Sequence, residues 1–223
     1  MRRTRLVAVV AAALGVLGCT AVAFGAVITG TSAGDTIFGT SDDDIINSLS
    51  GDDTVTALGG DDRVDGGSGD DEISGDGPCP PYYCIPPAGQ PGDDRIVGGS
   101  GEDHISGNSG SDRVAGGSDD DELAGNRGDD RIAGGSGRDR VRGGKASDRI
   151  RSGDGKDDVS GDRGADRITP GAAKDVVEAG KGDDTIFARD SARDGISCGR
   201  GTDKVIADAN DRISGDCERV RQP

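Results

Sequence analysis

Apolar positions along this chain keep a beat of nine. Aliphatic residues fall at Ile37, Ile46, Val55, Val64 and Ile73, then, after one long gap, at Ile96, Ile105, Val114, Leu123, Ile132, Val141, Ile150, Val159, Ile168, Val177 and Ile186. Three less regular units follow at Ile196, Val205 and Ile213. Each aliphatic stands in a short x-aliphatic-x segment, which reads as a strand with one side chain turned inward and its neighbours turned out. A period this regular over most of a chain predicts a solenoid of stacked units.

A polar pattern runs in phase with the apolar one. Two residues before each aliphatic stands an aspartate: Asp35, Asp44, Asp53, Asp62, Asp71, Asp94, Asp103, Asp112, Asp121, Asp130, Asp139, Asp148, Asp157, Asp166, Asp175 and Asp184, then Asp194, Asp203 and Asp211 in the irregular units. Four residues before the aliphatic, Gly fills twelve of the nineteen positions. The six residues ahead of each strand are therefore expected to form a turn, because Gly accepts positive φ and lets neighbouring turns approach. If two units make one coil, about 18 residues carry the chain up by roughly 4.8 Å, the spacing of paired strands. Equivalent aspartates then stack in two ladders, which repel unless cations lie between successive turns. Calcium suits such a place, since it takes six to eight oxygens from carboxylates and carbonyls in flexible geometry, whereas magnesium is stricter.

Composition strengthens that reading. Only 31% of residues are hydrophobic and 2% aromatic, Trp is absent and 41 are Gly, so an ordinary globular core is not expected. With a net charge of −16 the chain would ordinarily be disordered, and folding is expected to be coupled to ion binding. Nucleic acid is excluded as a partner of so acidic a surface. The positive start Met1 to Arg5, the apolar run Leu6 to Phe24 and the small-x-small site Ala23-Phe24-Gly25 predict a signal peptide over residues 1–25 and an exported chain from 26 to 223. A retained anchor and lipidation at Cys19 are the open alternatives, and they are the only expected links to a membrane.

The cleanest units, Gly66-Gly67-Ser68-Gly69-Asp70-Asp71-Glu72-Ile73-Ser74 and Gly98-Gly99-Ser100-Gly101-Glu102-Asp103-His104-Ile105-Ser106, resemble the hemolysin-type calcium-binding (RTX) nonapeptide repeat, over roughly residues 30 to 215. The resemblance implies an all-β fold, a parallel β-roll or right-handed β-solenoid of about nineteen repeats, two per coil. It also implies several calcium ions held by the repeat aspartates with turn carbonyls of adjacent coils. Weaker sites are expected at Asp194, Asp203 and Asp211, and where the Gly position holds Asp42, Asp119, Ala146 or Ala173. With an N-terminal signal, the chain looks like the Sec-exported calcium-binding repeat proteins of actinobacteria.

Interruptions of the beat define the rest. Fourteen extra residues, Gly77 to Gln90, are expected to project as a loop without shifting the phase; they carry Cys79 and Cys84, a candidate local disulfide, and Tyr82 and Tyr83, a candidate ligand site. Cys198 and Cys217, 19 residues apart, are expected to staple a C-terminal cap over about 190–223. Val27-Ile28-Thr29 is the expected starting rung. Arg63, Arg95, Arg113, Arg131, Arg140, Arg149, Arg167 and Arg212 point outward, a solvated face or, alternatively, a stripe for a cell-surface polymer. His104 shares that outward position without a partner nucleophile, so no catalytic residue is assigned and the chain reads as a binder, not an enzyme. The rival to a calcium-binding module is a surface adhesin using Tyr82 and Tyr83 or the arginine face to hold a polymer or protein.

Overall fold

The structure, a computed structural model, describes residues 5–6, 25–77 and 91–223. The expected signal peptide, its cleavage site and Cys19 lie almost wholly outside the described residues, apart from Arg5–Leu6, a two-residue strand paired with Asp35–Phe38. The insert cysteines Cys79 and Cys84 and the tyrosines Tyr82 and Tyr83 also lie outside them.

Among the described residues there are strands and turns but no helix. Strands alternate between two 11-stranded sheets, so that consecutive strands in sequence never pair and each pairs with the strand two further on. All pairing is parallel and the register advances by 18 residues: Arg113 lies beside Arg131, Val114 beside Ile132 and Gly117 beside Gly135. Two nonapeptides thus make one coil of a parallel β-solenoid.

The inward aliphatics are buried from Ile37 to Val205, none more than 3% exposed, and form one continuous column. Ile213, in the last unit, packs only partly against it. The core is one side chain thick on each sheet, which explains how so hydrophilic a chain builds a solenoid.

The division between strand and turn differs from expectation. A typical strand, Arg113–Ser118, has six residues and runs through the glycine pair, leaving a three-residue turn at 119–121. The glycines belong to the ladder where the coils approach closely, and the side chains that share this register, Asn108, Asn126 and Asp162, do so at positive φ. A Cβ on Gly117, whose φ is +132°, would lie 2.0 Å from the carbonyl oxygen of Gly99 one coil away.

The insert leaves the phase intact. Arg63 pairs with Arg95 and Glu72 with His104, an offset of 32 instead of 18. The starting rung is also present, with Ile28 beside Ile46. At the other end Cys198 and Cys217 form the expected disulfide, with Cα atoms 5.2 Å apart.

Candidate metal centre

Each repeat aspartate closes its strand's three-residue turn, and the side chain points into the solenoid. From Asp35 to Asp203 all are buried, at most 3% exposed. From Asp44 onward one carboxylate oxygen of each links the coils: the backbone N–H of Asp94 donates to Oδ1 of Asp112 (2.8 Å), that of Asp112 to Oδ1 of Asp130 (2.8 Å), and that of Asp130 to Oδ1 of Asp148 (2.9 Å). The insert is spanned in the same way, from Asp62 to Asp94 and from Asp71 to Asp103, both at 2.9 Å. The nineteen aspartates fall into two such columns, one per turn edge.

The second oxygen has no partner. Among the described residues Oδ2 is buried without a hydrogen bond in Asp53, Asp62, Asp71 and Asp94, and again in every repeat aspartate from Asp103 to Asp203; in Asp35 the orphan is Oδ1. Leaving a buried acceptor unpaired costs about 1–3 kcal/mol, and more when it is charged. Two repeat aspartates escape. Asp44 accepts from Thr40 and from the N–H of Ala26, and Asp211 accepts from the N–H groups of Asp194 and Asp208.

The orphan oxygens face a space that glycine keeps open. A Cβ on Gly98 would lie 2.1 Å from Asp103 Oδ2 and 2.8 Å from the carbonyl oxygen of Gly116. One on Gly125 would lie 2.2 Å from Asp130 Oδ2 and 2.8 Å from the carbonyl oxygen of Gly143. A carboxylate oxygen and a backbone carbonyl from adjacent coils therefore share these cradles. That is an oxygen-only donor set of the kind calcium takes, and it lacks the nitrogen and sulfur that zinc or copper would favour. Among the described residues no three acidic, His or Cys side chains cluster as metal ligands, so carbonyls are an obligatory part of any ion site here. The same inward position holds a side chain at Ser48, Ala57, Ser152 and Pro170 and, toward the C-terminus, in succession at Ala179, Ala188, Cys198 and Ala207.

Burial dominates the electrostatics. Desolvation, followed by repulsion from carboxylates in neighbouring coils, pushes Asp94 and Asp148 up to about 8 and Asp62, Asp112, Asp121 and Asp166 up to about 7, while hydrogen bonds from backbone N–H groups oppose the rise. The ladder is thus a row of carboxylates that lacks positive charge.

Of the turn residues without Gly, Asp119, Ala146 and Ala173 still adopt positive φ, at 85°, 78° and 83°. The turn geometry survives there at a conformational cost of about 1–2 kcal/mol each.

Two features escaped sequence reasoning. Glu218 completes one column, its Oε2 accepting from the N–H of Asp203 at 2.9 Å. It follows Asp203 by 15 residues and stands in no Gly-rich unit, so the beat could not reveal it. The second feature is an outer ladder. Asp120 Oδ1 accepts from the N–H of Arg138 (2.7 Å) and Asp129 Oδ1 from that of Ser147 (2.9 Å). In an Asp-Asp pair the inner carboxylate therefore reaches one coil back and the outer one coil forward.

A profile of the RTX calcium-binding nonapeptide repeat matches residues 29–64, 48–77, 89–123, 106–141, 115–150, 134–168 and 169–192. These overlapping matches cover well over half of the chain. The chain belongs to the RTX calcium-binding repeat family. Among curated proteins none matches it. The matched segments contain every repeat aspartate from Asp35 to Asp184, and the irregular units carrying Asp194, Asp203 and Asp211 lie beyond them.

Proposed function

We propose that this protein is a secreted, non-catalytic calcium-binding module whose folding is coupled to occupation of the inner aspartate columns. The observation that carries the reading is the run of buried, unpartnered Oδ2 atoms, most of them beside an inward glycine and, as at Gly98, Gly116, Gly125 and Gly143, a carbonyl of the next coil. Asp53 to Asp184 supply the carboxylates, and calcium supplies the counter-charge they lack. Asp44, whose oxygens are both satisfied by the protein, anchors the first coil instead of holding an ion. Family membership supports the choice of calcium, and the Met1–Gly25 pattern supports export.

Far-UV circular dichroism during calcium titration tests this reading, with magnesium as control. The expected result is a cooperative gain of β signal with calcium alone, at the concentrations of about 0.1–1 mM usual for extracellular modules. A fully formed β spectrum in chelator at neutral pH would overturn the coupling.

A further inference from the structure

The nine-residue beat hides an 18-residue one in the charges. Because neighbouring units enter opposite sheets and alternate units share one, cations 18 residues apart stack, and in the second half of the roll they stack twice. At the ends of strands in one sheet, Arg127 lies beside Lys145, Lys145 beside Arg163, Arg163 beside Lys181 and Lys181 beside Arg200. At the starts of strands in the other sheet, Arg131 lies beside Arg149 and Arg149 beside Arg167, with Lys204 two rungs on.

The two rows border the same turn edge. The three-residue turn at 128–130 separates Arg127 from Arg131, and the same spacing separates Lys145 from Arg149 and Arg163 from Arg167. All six side chains are exposed, and among the described residues none of them makes an ion pair; the pairs found, His104 with Glu122 and Arg140 with Glu122, lie at the other end of the strands that carry Arg127 and Lys145. Three shallow grooves follow these rows, each across three coils. One of about 350 Å³ runs between the turn residues Asp129, Ser147 and Ala165 and the Arg131, Arg149, Arg167 row. A second, of about 570 Å³, lies on the far side of that row, over Ala133 and Thr169. A third, of about 430 Å³, follows Lys145, Arg163 and Lys181.

We infer that this edge, over residues 127–204, is a docking groove for a linear acidic polysaccharide lying along the solenoid axis. Each coil offers up to two cations every 4.8 Å or so, which suits an extended chain bearing about one anionic group per sugar. Asp129 and Asp183 lie in the turns between the rows, and the neighbouring coils are strongly acidic, which opposes the denser phosphates of nucleic acid. The inference needs the roll, and none of its residues belongs to the inner columns.

Binding of chondroitin sulfate to the full chain in millimolar calcium tests it, with neutral dextran and a single-stranded oligonucleotide alongside. One variant combines Lys145→Ser, Arg163→Ser and Lys181→Ser; Ser109, the native occupant of that row beside Arg127, shows that serine fits there. The control combines Arg138→Ser, Lys156→Ser and Lys174→Ser, which removes equal charge from the opposite turn edge. Removing the row is expected to weaken binding about tenfold at low salt, through lost counterion release, and the control to change it little. Circular dichroism confirms that each variant folds. Equal loss in both variants, no binding beyond that of dextran, or tighter binding of the oligonucleotide would each overturn the assignment.

Discussion

Residues 31–126 carry 22 acidic and 3 basic side chains, whereas residues 127–223 carry 20 of each. The backbone scarcely registers the difference, since both halves coil with the same 18-residue register apart from the 77–90 insert and the irregular cap. The inner columns are also alike: Asp94 in the first half and Asp148 in the second are both pushed up to about 8, with burial the leading cause in each. What differs is the outward position of the turn. In the first half it holds Asp52, Asp61, Asp70 and Asp93; in the second it holds Arg138, Ser147, Lys156 and Lys174 at the same place. The inner carboxylate belongs to the fold, and the outer position is free to carry charge of either sign.

That contrast leads to its most severe test, calcium removal. The whole roll is expected to lose its β structure in chelator at neutral pH, but the first half adds uncompensated outer repulsion to the shared inner repulsion. As calcium is lowered stepwise, hydrogen exchange followed by mass spectrometry should show residues 31–126 losing protection before residues 127–223. Simultaneous loss would show that the outer charges are immaterial and the roll a single cooperative unit.

Protons should partly replace the ion. The inner carboxylates from Asp62 to Asp148 have folded pKa values raised to between about 6 and 8, above the ordinary carboxylate value, so the metal-free fold binds more protons than the unfolded chain. Its stability is therefore greatest near pH 4 and falls as pH rises toward 8. Circular dichroism in chelator is expected to show β signal at about pH 4.5 that disappears by pH 8. A spectrum in chelator that does not change with pH would contradict the electrostatic account of both halves.

Smaller effects separate individual rungs. Asp112→Asn keeps an acceptor for the N–H of Asp94 and removes the charge, so it should shift the calcium midpoint of folding upward, equivalent to a loss of about 1–3 kcal/mol. Asp211→Asn, in the cap where both oxygens accept from backbone N–H groups, loses one of those bonds and so lowers the stability of the cap, but it should change the calcium dependence of folding less than Asp112→Asn does. Equal shifts would mean that the orphan oxygens do not mark the ion sites. The smallest change is a gain: Ala173→Gly relieves a positive φ and should stabilise the calcium-loaded chain by about 1 kcal/mol in denaturant titration.

Much of this architecture was legible in the residues. The aliphatic column, the inner aspartates, the starting rung at Ile28, the phase kept across the insert and the Cys198–Cys217 bridge all follow from counting in nines, because every coil repeats the same contacts and each residue's place depends only on its phase. Strand length was not legible, since the glycine pairs that look like turn join the ladder by close approach of neighbouring coils.

The sequence alone therefore determined which side chains face inward and which carry the carboxylates, because those are local consequences of a nine-residue phase. Only the tertiary structure decided which carboxylate oxygen stays unpartnered, that Glu218 completes a column, and that cations scattered at intervals of 4 and 14 residues share one edge. Those outcomes depend on the 18-residue coil, which sends neighbouring repeats to opposite sheets and brings alternate repeats into contact.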